Sequence, residues 1–285
     1  MIKRTLSTIG LWTLVFGTIY LFGAPGGVVL LALFALLAQY EFQGLLEKSG
    51  LPPWKIPSLI LGFGIMLAFG MNLFPLPPGL THTMTVLFVM LVPVALVAGA
   101  LACVKDPTGI NRLAGSVLAL AFVPFMMMHY VLILNLGAPQ PNFRTLGLAV
   151  WVIAVAKFTD VGGYLVGSMI GRHKLAPSIS PGKTWEGVGG GLLLAAVVAY
   201  LPLRLAPQYL PIWLTAARAI GLSLPIGIAA IASDLSESAF KRRAGVKDSG
   251  NRIPGIGGAL DLADSLLLAG PVAFYLFSLL GYSYL

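Results

Sequence analysis

The sequence predicts an all-α polytopic membrane protein of about nine transmembrane helices, with a cytoplasmic N-terminus and the C-terminus outside. Three observations carry this prediction. The 285 residues are 58% hydrophobic and only 10% charged, with a mean hydropathy of +0.91, whereas a soluble domain is roughly a quarter charged. Apolar runs long enough to cross a hydrocarbon layer of about 30 Å recur along the whole chain. The basic residues then fall on alternate connections. Fourteen lie on the inside (Lys3, Arg4, Lys48, Lys55, Lys105, Arg112, Arg172, Lys174, Lys183, Lys241, Arg242, Arg243, Lys247 and Arg252). Three lie outside (Arg144, Arg204 and Arg218), and Lys157 sits within a span. That asymmetry is the positive-inside pattern, and removing one span would scramble it.

The expected spans are 5–22, 25–41, 56–74, 82–103, 113–137, 146–168, 187–206, 216–239 and 259–282. Breakers separate the early ones: Ala24-Pro25-Gly26-Gly27, Pro52-Pro53 and Pro75-Leu76-Pro77-Pro78-Gly79. Met1-Ile2-Lys3-Arg4 and the run to Phe22 have the polarity of a signal peptide, but more apolar sequence follows at once, which favours an uncleaved span. No internal repeat is visible. We divide the chain into N-terminal helices, 1–140, and a C-terminal catalytic region, 141–285, with cytoplasmic loops at 171–186 and 240–258. The lone Cys103 excludes an internal disulfide. The net charge of +8 fits anionic lipid head groups at the cytoplasmic face, not nucleic acid. His82 and His129, the latter after Met126-Met127-Met128, read as packing residues. Glu41, beside Gln39 and Tyr40 at the end of the second span, admits two placements: inside the bundle, or snorkelled at the interface.

From the sixth span onward the polar content changes. Lys157 and Asp160 lie three apart in an apolar helix and can neutralise each other on one face. Gly162, Gly163, Gly167 and Gly171 permit close helix approach. In the loop that follows, Gly182-Lys183-Thr184 has the ending of a phosphate-binding loop. The glycine required at the head of that motif is Pro177 here, and no strand is expected before it, so a P-loop is excluded. Lys183 remains suited to a phosphate, Thr184 to capping the next helix, and Gly189-Gly190-Gly191 to an anion at a helix N-terminus.

The richest stretch runs from Ser233 to Ser265 and holds five of the ten acidic residues: Asp234, Glu237, Asp248, Asp261 and Asp264. Asp234 with Glu237, and Asp261 with Asp264, have the spacing of one helix face. Each pair adjoins a long apolar run, so two carboxylate pairs are expected to meet at the membrane surface. A hard divalent cation is their natural occupant, and the intervening Lys241, Arg242, Arg243, Lys247 and Arg252 suit phosphates.

These stretches resemble the phosphatidate cytidylyltransferases, also called CDP-diacylglycerol synthases. The resemblance rests on Ser238, Lys241-Arg242, Lys247-Asp248, Gly250, Pro254-Gly255, Gly257-Gly258, Asp261 and Asp264. Upstream it rests on Ser180-Pro-Gly-Lys-Thr-Trp-Glu-Gly187 and on Asp160, Tyr164 and Gly167. It covers roughly the C-terminal half. Ile256 and Leu262 stand where the family has His and Arg. The resemblance implies transfer of the cytidylyl group of CTP to phosphatidate in the inner (cytoplasmic) membrane, with the active site on the cytoplasmic side. It implies catalytic roles for Asp261, Asp234, Lys241 and Asp248, and substrate contacts by Lys183, Ser180, Arg242, Lys247, Ser238 and Asp160. Mg2+ would be held by Asp234, Asp261 and Asp264, with a second cation left open, as is a homodimer. A CTP-dependent polyprenol- or phytol-type lipid kinase, a secondary transporter and a degenerate non-catalytic paralogue are the alternatives.

Overall fold

The computed structural model describes residues 2–70, 97–100, 108–136, 143–251 and 257–280, together with Val86 and Val94. Most of the expected span 82–103, with His82 and Cys103, lies outside these residues. So do Arg252, Pro254, Gly255 and Ile256.

The described elements are almost all helical: α1 Ile2–Lys48, α2 Lys55–Gly70, α3 Gly109–Phe122, α4 Pro124–Leu134 and α5 Phe143–Ile170. After a short hairpin, β1 Lys174–Ala176 and β2 Ser180–Thr184, come α6 Trp185–Leu205, a 3-10 turn Pro207–Tyr209, α7 Ala216–Arg243, α8 Ala259–Ala263 and α9 Leu266–Leu279. Among the described residues, six helical stretches are long and apolar enough to cross a membrane: Gly17–Lys48, Gly109–Leu134, Phe143–Ile170, Trp185–Leu205, Ala216–Arg243 and Ala259–Leu279. This is a multi-pass, helical membrane protein. The first two expected spans form one element broken at Gly23, whose φ of 60° suits glycine, with Pro25 two residues on. Its second segment continues past Glu41 to Lys48.

The chain packs as two compact units, Met1–Val131 with Arg243–Ala263, and Leu132–Arg242 with Asp264–Leu285. In the first, Phe42 stacks on Phe122 at 4.6 Å between ring centroids, and Val28, Ala32, Ala35 and Leu46 are buried. Polar side chains also enter this core. Gln39 Nε2 donates to the Ser58 carbonyl at 2.8 Å, and Gln43 Nε2 to the Ser58 hydroxyl at 2.8 Å.

In the second unit α5 and α6 pack tightly. A Cβ on Gly162 would lie 2.7 Å from the Gly190 carbonyl oxygen, one on Gly187 2.7 Å from that of Gly163, and one on Gly191 2.6 Å from that of Thr159. These positions are glycine because backbone meets backbone, as the sequence predicted for Gly162. Trp151, fully buried, donates its indole N–H to the Ala199 carbonyl at 2.9 Å, closing the same interface.

Candidate active site

The second unit gathers most of the charged residues singled out above. Asp160 and Lys157 stand on α5, Lys183 on β2, and Asp234, Glu237, Ser238, Lys241 and Arg242 on α7; Asp264 precedes α9. Lys157 Nζ donates to Asp264 Oδ1 at 2.9 Å, and Lys183 Nζ meets Asp234 Oδ2 at 2.6 Å.

The first of these pairs corrects the expected partnership of Lys157 with Asp160. Helical side chains lean toward the helix N-terminus, so a lysine placed before an acid leans away from it, and this order is the weaker one within a single helix. Lys157 instead meets an acid 107 residues away. Asp160 stays within electrostatic reach of Asp264, Asp234 and Lys157, and its Oδ1 is buried without a hydrogen-bond partner. Three carboxylates thus share two lysines. Among the described residues no three His, Cys, Asp or Glu side chains already converge on one ion position, and the lysines take carboxylate oxygens that an ion would use.

Asp261 and Asp264 do not pair on one helix face. The expected span 259–282 is interrupted between α8 and α9, and the two aspartates fall in different compact units. Asp264 Oδ1 accepts the Ser265 backbone N–H at 2.6 Å, and its carbonyl accepts from the Ser233 hydroxyl of α7. Asp261 accepts the Ser249 N–H at 3.2 and 3.1 Å through its two oxygens, and the Gly258 N–H at 2.8 Å. Gly257, next to it, has a φ of 123° that favours glycine.

Around Asp234 the cationic residues have protein partners. Ser238 Oγ donates to Asp234 Oδ1 at 3.3 Å. Lys241 pairs at 2.6 Å with Glu237, which is fully buried four residues earlier. Arg242 Nε donates to the Ile179 carbonyl at 3.1 Å, tying the end of α7 to the hairpin turn. Lys247 and Asp248 are exposed in the loop after α7, and Ser180 is half-exposed at the start of β2. Leu262 lies in α8.

The loop after α5 is more ordered than expected. Lys174 pairs with Thr184 and Ala176 with Ser180 in an antiparallel hairpin, so Gly182-Lys183-Thr184 lies within a strand. Exclusion of a P-loop therefore rests on Pro177 alone. The Thr184 side chain accepts the Gly187 N–H at 3.1 Å and caps α6, as predicted. Glu186, one residue short of a capping box, binds His173 through its N–H at 3.2 Å and Nδ1 at 2.6 Å, which fixes the mouth of the hairpin.

Glu41 is the residue that sequence reasoning left undecided. It is 5% exposed in the first unit, where its Oε2 accepts the Ser249 hydroxyl at 3.1 Å and the Leu260 N–H at 2.9 Å. The available signal was the run Gln39-x-Glu41-x-Gln43 in an otherwise apolar helix. All three side chains prove to be buried.

A family profile described as "Cytidylyltransferase family" matches residues 2–280. The chain is 32% identical to the uncharacterized protein YnbB of Escherichia coli K12 over 246 residues, 86% of this chain and 76% of that one. It is 30% identical to a phosphatidate cytidylyltransferase of Staphylococcus aureus COL over 247 residues, 87% of this chain and 89% of the relative. A phosphatidate cytidylyltransferase of Haemophilus influenzae is 41% identical over 135 residues, 47% of each chain. A match over nearly the whole length, on a helical membrane fold with this cluster of acids and lysines, shows that the chain belongs to the cytidylyltransferase family of nucleotidyl-transferring enzymes.

Proposed function

We propose that the chain transfers the cytidylyl group of CTP to phosphatidate in the inner (cytoplasmic) membrane, with its active site on the cytoplasmic side. A phosphate oxygen of the lipid attacks the α-phosphorus of CTP. The new P–O bond forms as the bond to the β-phosphate breaks, giving CDP-diacylglycerol and pyrophosphate. No general base is needed, since the attacking phosphate is already anionic near neutral pH, and no histidine is assigned a role.

The observation that carries the reading is the cluster of three carboxylates and two lysines in one unit of a cytidylyltransferase-family chain. Two polyanions must be brought together, so neutralisation and alignment are the main catalytic tasks. Lys183 is placed on a strand, with its ammonium against Asp234, where an arriving phosphate can compete for it. Lys157 stands in the same relation to Asp264. Lys241, held by the buried Glu237, and Arg242, held by the hairpin, act from fixed positions, and Lys247 and Asp248 are exposed in the loop after α7. Ser238 and Ser180 supply hydroxyls beside these groups.

The donors fit a hard divalent cation, Mg2+, because oxygens dominate the set, acids outnumber lysines by one, and Asp160 Oδ1 is an orphaned buried acceptor. Within this unit Asp234 and Asp264, with Asp160 beside them, would hold it, and Asp261 keeps the catalytic role that the motif resemblance implies. When bound, the ion would offset charge on the reacting phosphates and help align them. The test is to incubate purified protein in detergent with labelled CTP and magnesium, with phosphatidate in one reaction and a polyprenol in a parallel one, and to separate the products. CDP-diacylglycerol with pyrophosphate is expected. Lipid phosphate with CDP, formed from a polyprenol acceptor, would replace this reading with a kinase.

A further inference from the structure

We infer that Glu41, on an N-terminal helix distant in sequence from the family motifs, is a positioning residue for Asp261, acting through Ser249 and the start of α8. Ser249 serves two carboxylates at once: its hydroxyl donates to Glu41 Oε2 at 3.1 Å and its N–H donates to both oxygens of Asp261. Glu41 Oε2 also takes the Leu260 N–H at 2.9 Å, one of the N-terminal amides of α8 that has no partner within that helix. One side chain of α1 therefore holds both Ser249, which donates to Asp261, and the first turn of α8, which carries Asp261.

Two motif glycines are explained by the same contact. A Cβ on Gly250 would lie 2.7 Å from Glu41 Oε1, and the three atoms nearest to it would all be Glu41 atoms. A Cβ on Gly258 would lie 2.3 Å from Glu41 Oε2 and 2.2 Å from Ser249 Oγ. Neither glycine has a positive φ, so backbone freedom is not what requires glycine there. The loop is carved to admit a carboxylate. Burying that carboxylate is costly, and a contact made only for packing would be met more cheaply by an apolar side chain. Its return is orientation: a catalytic side chain is only as well placed as the groups that hold it.

The inference rests on Asp261 serving the reaction, and the experiment separates the two claims. Full-length protein in detergent would be compared as wild type, Glu41→Gln, Glu41→Met, Ser249→Ala and Asp261→Asn. Glutamine keeps an acceptor oxygen; methionine keeps the volume and accepts no such bond. Glu41→Met should lower kcat at least about tenfold with KM for CTP changed less than about twofold, and Glu41→Gln should recover kcat to within about threefold of wild type. Hydrogen exchange at the Ser249, Gly258 and Leu260 amides should quicken in Glu41→Met and not in Glu41→Gln. Should Glu41→Met fail to fold, Ser249→Ala must show the same kcat-selective loss, smaller in size. Equal kcat and equal exchange in the Met and Gln variants would overturn the inference. So would quickened exchange with unchanged kcat while Asp261→Asn is inactive. An active Asp261→Asn would instead refute the role given to Asp261, and the exchange measurements alone would then decide whether Glu41 holds the loop.

Discussion

Replacing Lys157 with methionine should destabilise the protein by about 2–3 kcal/mol, and adding Asp264→Asn should return most of that loss. At an N···O distance of 2.9 Å the ion pair is worth about 6 kcal/mol of direct attraction at an effective dielectric near 20. The side chains are 33% and 21% exposed, so solvent screening and the cost of desolvation reduce the net value to less than half. Removing only the lysine leaves Asp264 without its cation at a helix junction of a membrane protein, which carries a penalty of similar size. Unfolding of single and double variants in mixed micelles would give the coupling energy, expected to be about 2–3 kcal/mol for Lys157 with Asp264. The same cycle with Asp160→Asn should give under about 0.5 kcal/mol. Stronger coupling to Asp160 than to Asp264 would refute the partner assignment and restore the within-helix pair.

Asp234→Asn and Asp261→Asn should each reduce turnover about a hundredfold or more while the protein still elutes as a folded species, because an amide keeps the shape and loses the charge; near-normal CDP-lipid synthesis by either would remove it from the reacting centre. Gly191→Ala should destabilise by roughly 1–3 kcal/mol, since its Cβ would lie 2.6 Å from a backbone oxygen, whereas Gly163→Ala, at 3.5 Å, should be tolerated; thermal unfolding in detergent compares them directly. A reporter active only in the cytoplasm and fused after Leu285 should be silent, and an active fusion would mean that the number of spans is even.

The membrane class was legible because hydropathy and charge belong to each residue and sum along the chain. Runs such as Phe143–Ile170 and Ala216–Arg243 cannot satisfy their backbone in lipid except as helices. The helix cap at Thr184 and the close glycine approach of α5 to α6 were readable for the same reason, since each follows from local chemistry. The acids and bases that carry the proposed chemistry were also visible, because so few charges occur in so apolar a chain.

Which charge meets which was decided by the tertiary structure. The i, i+3 spacing of Lys157 and Asp160 showed that the two share a helix face, but an acid on a neighbouring element offered Lys157 the shorter contact. Asp261 and Asp264 share the same spacing, yet the helix breaks after α8 and each takes its own partners. The position of Glu41 depended on the match between a carboxylate on α1 and the space left by Gly250 and Gly258, more than 200 residues away. Helix formation is a local balance that the sequence alone could settle. The pairing of buried charges is a competition among all the partners that folding brings within reach, and only the folded chain decides it.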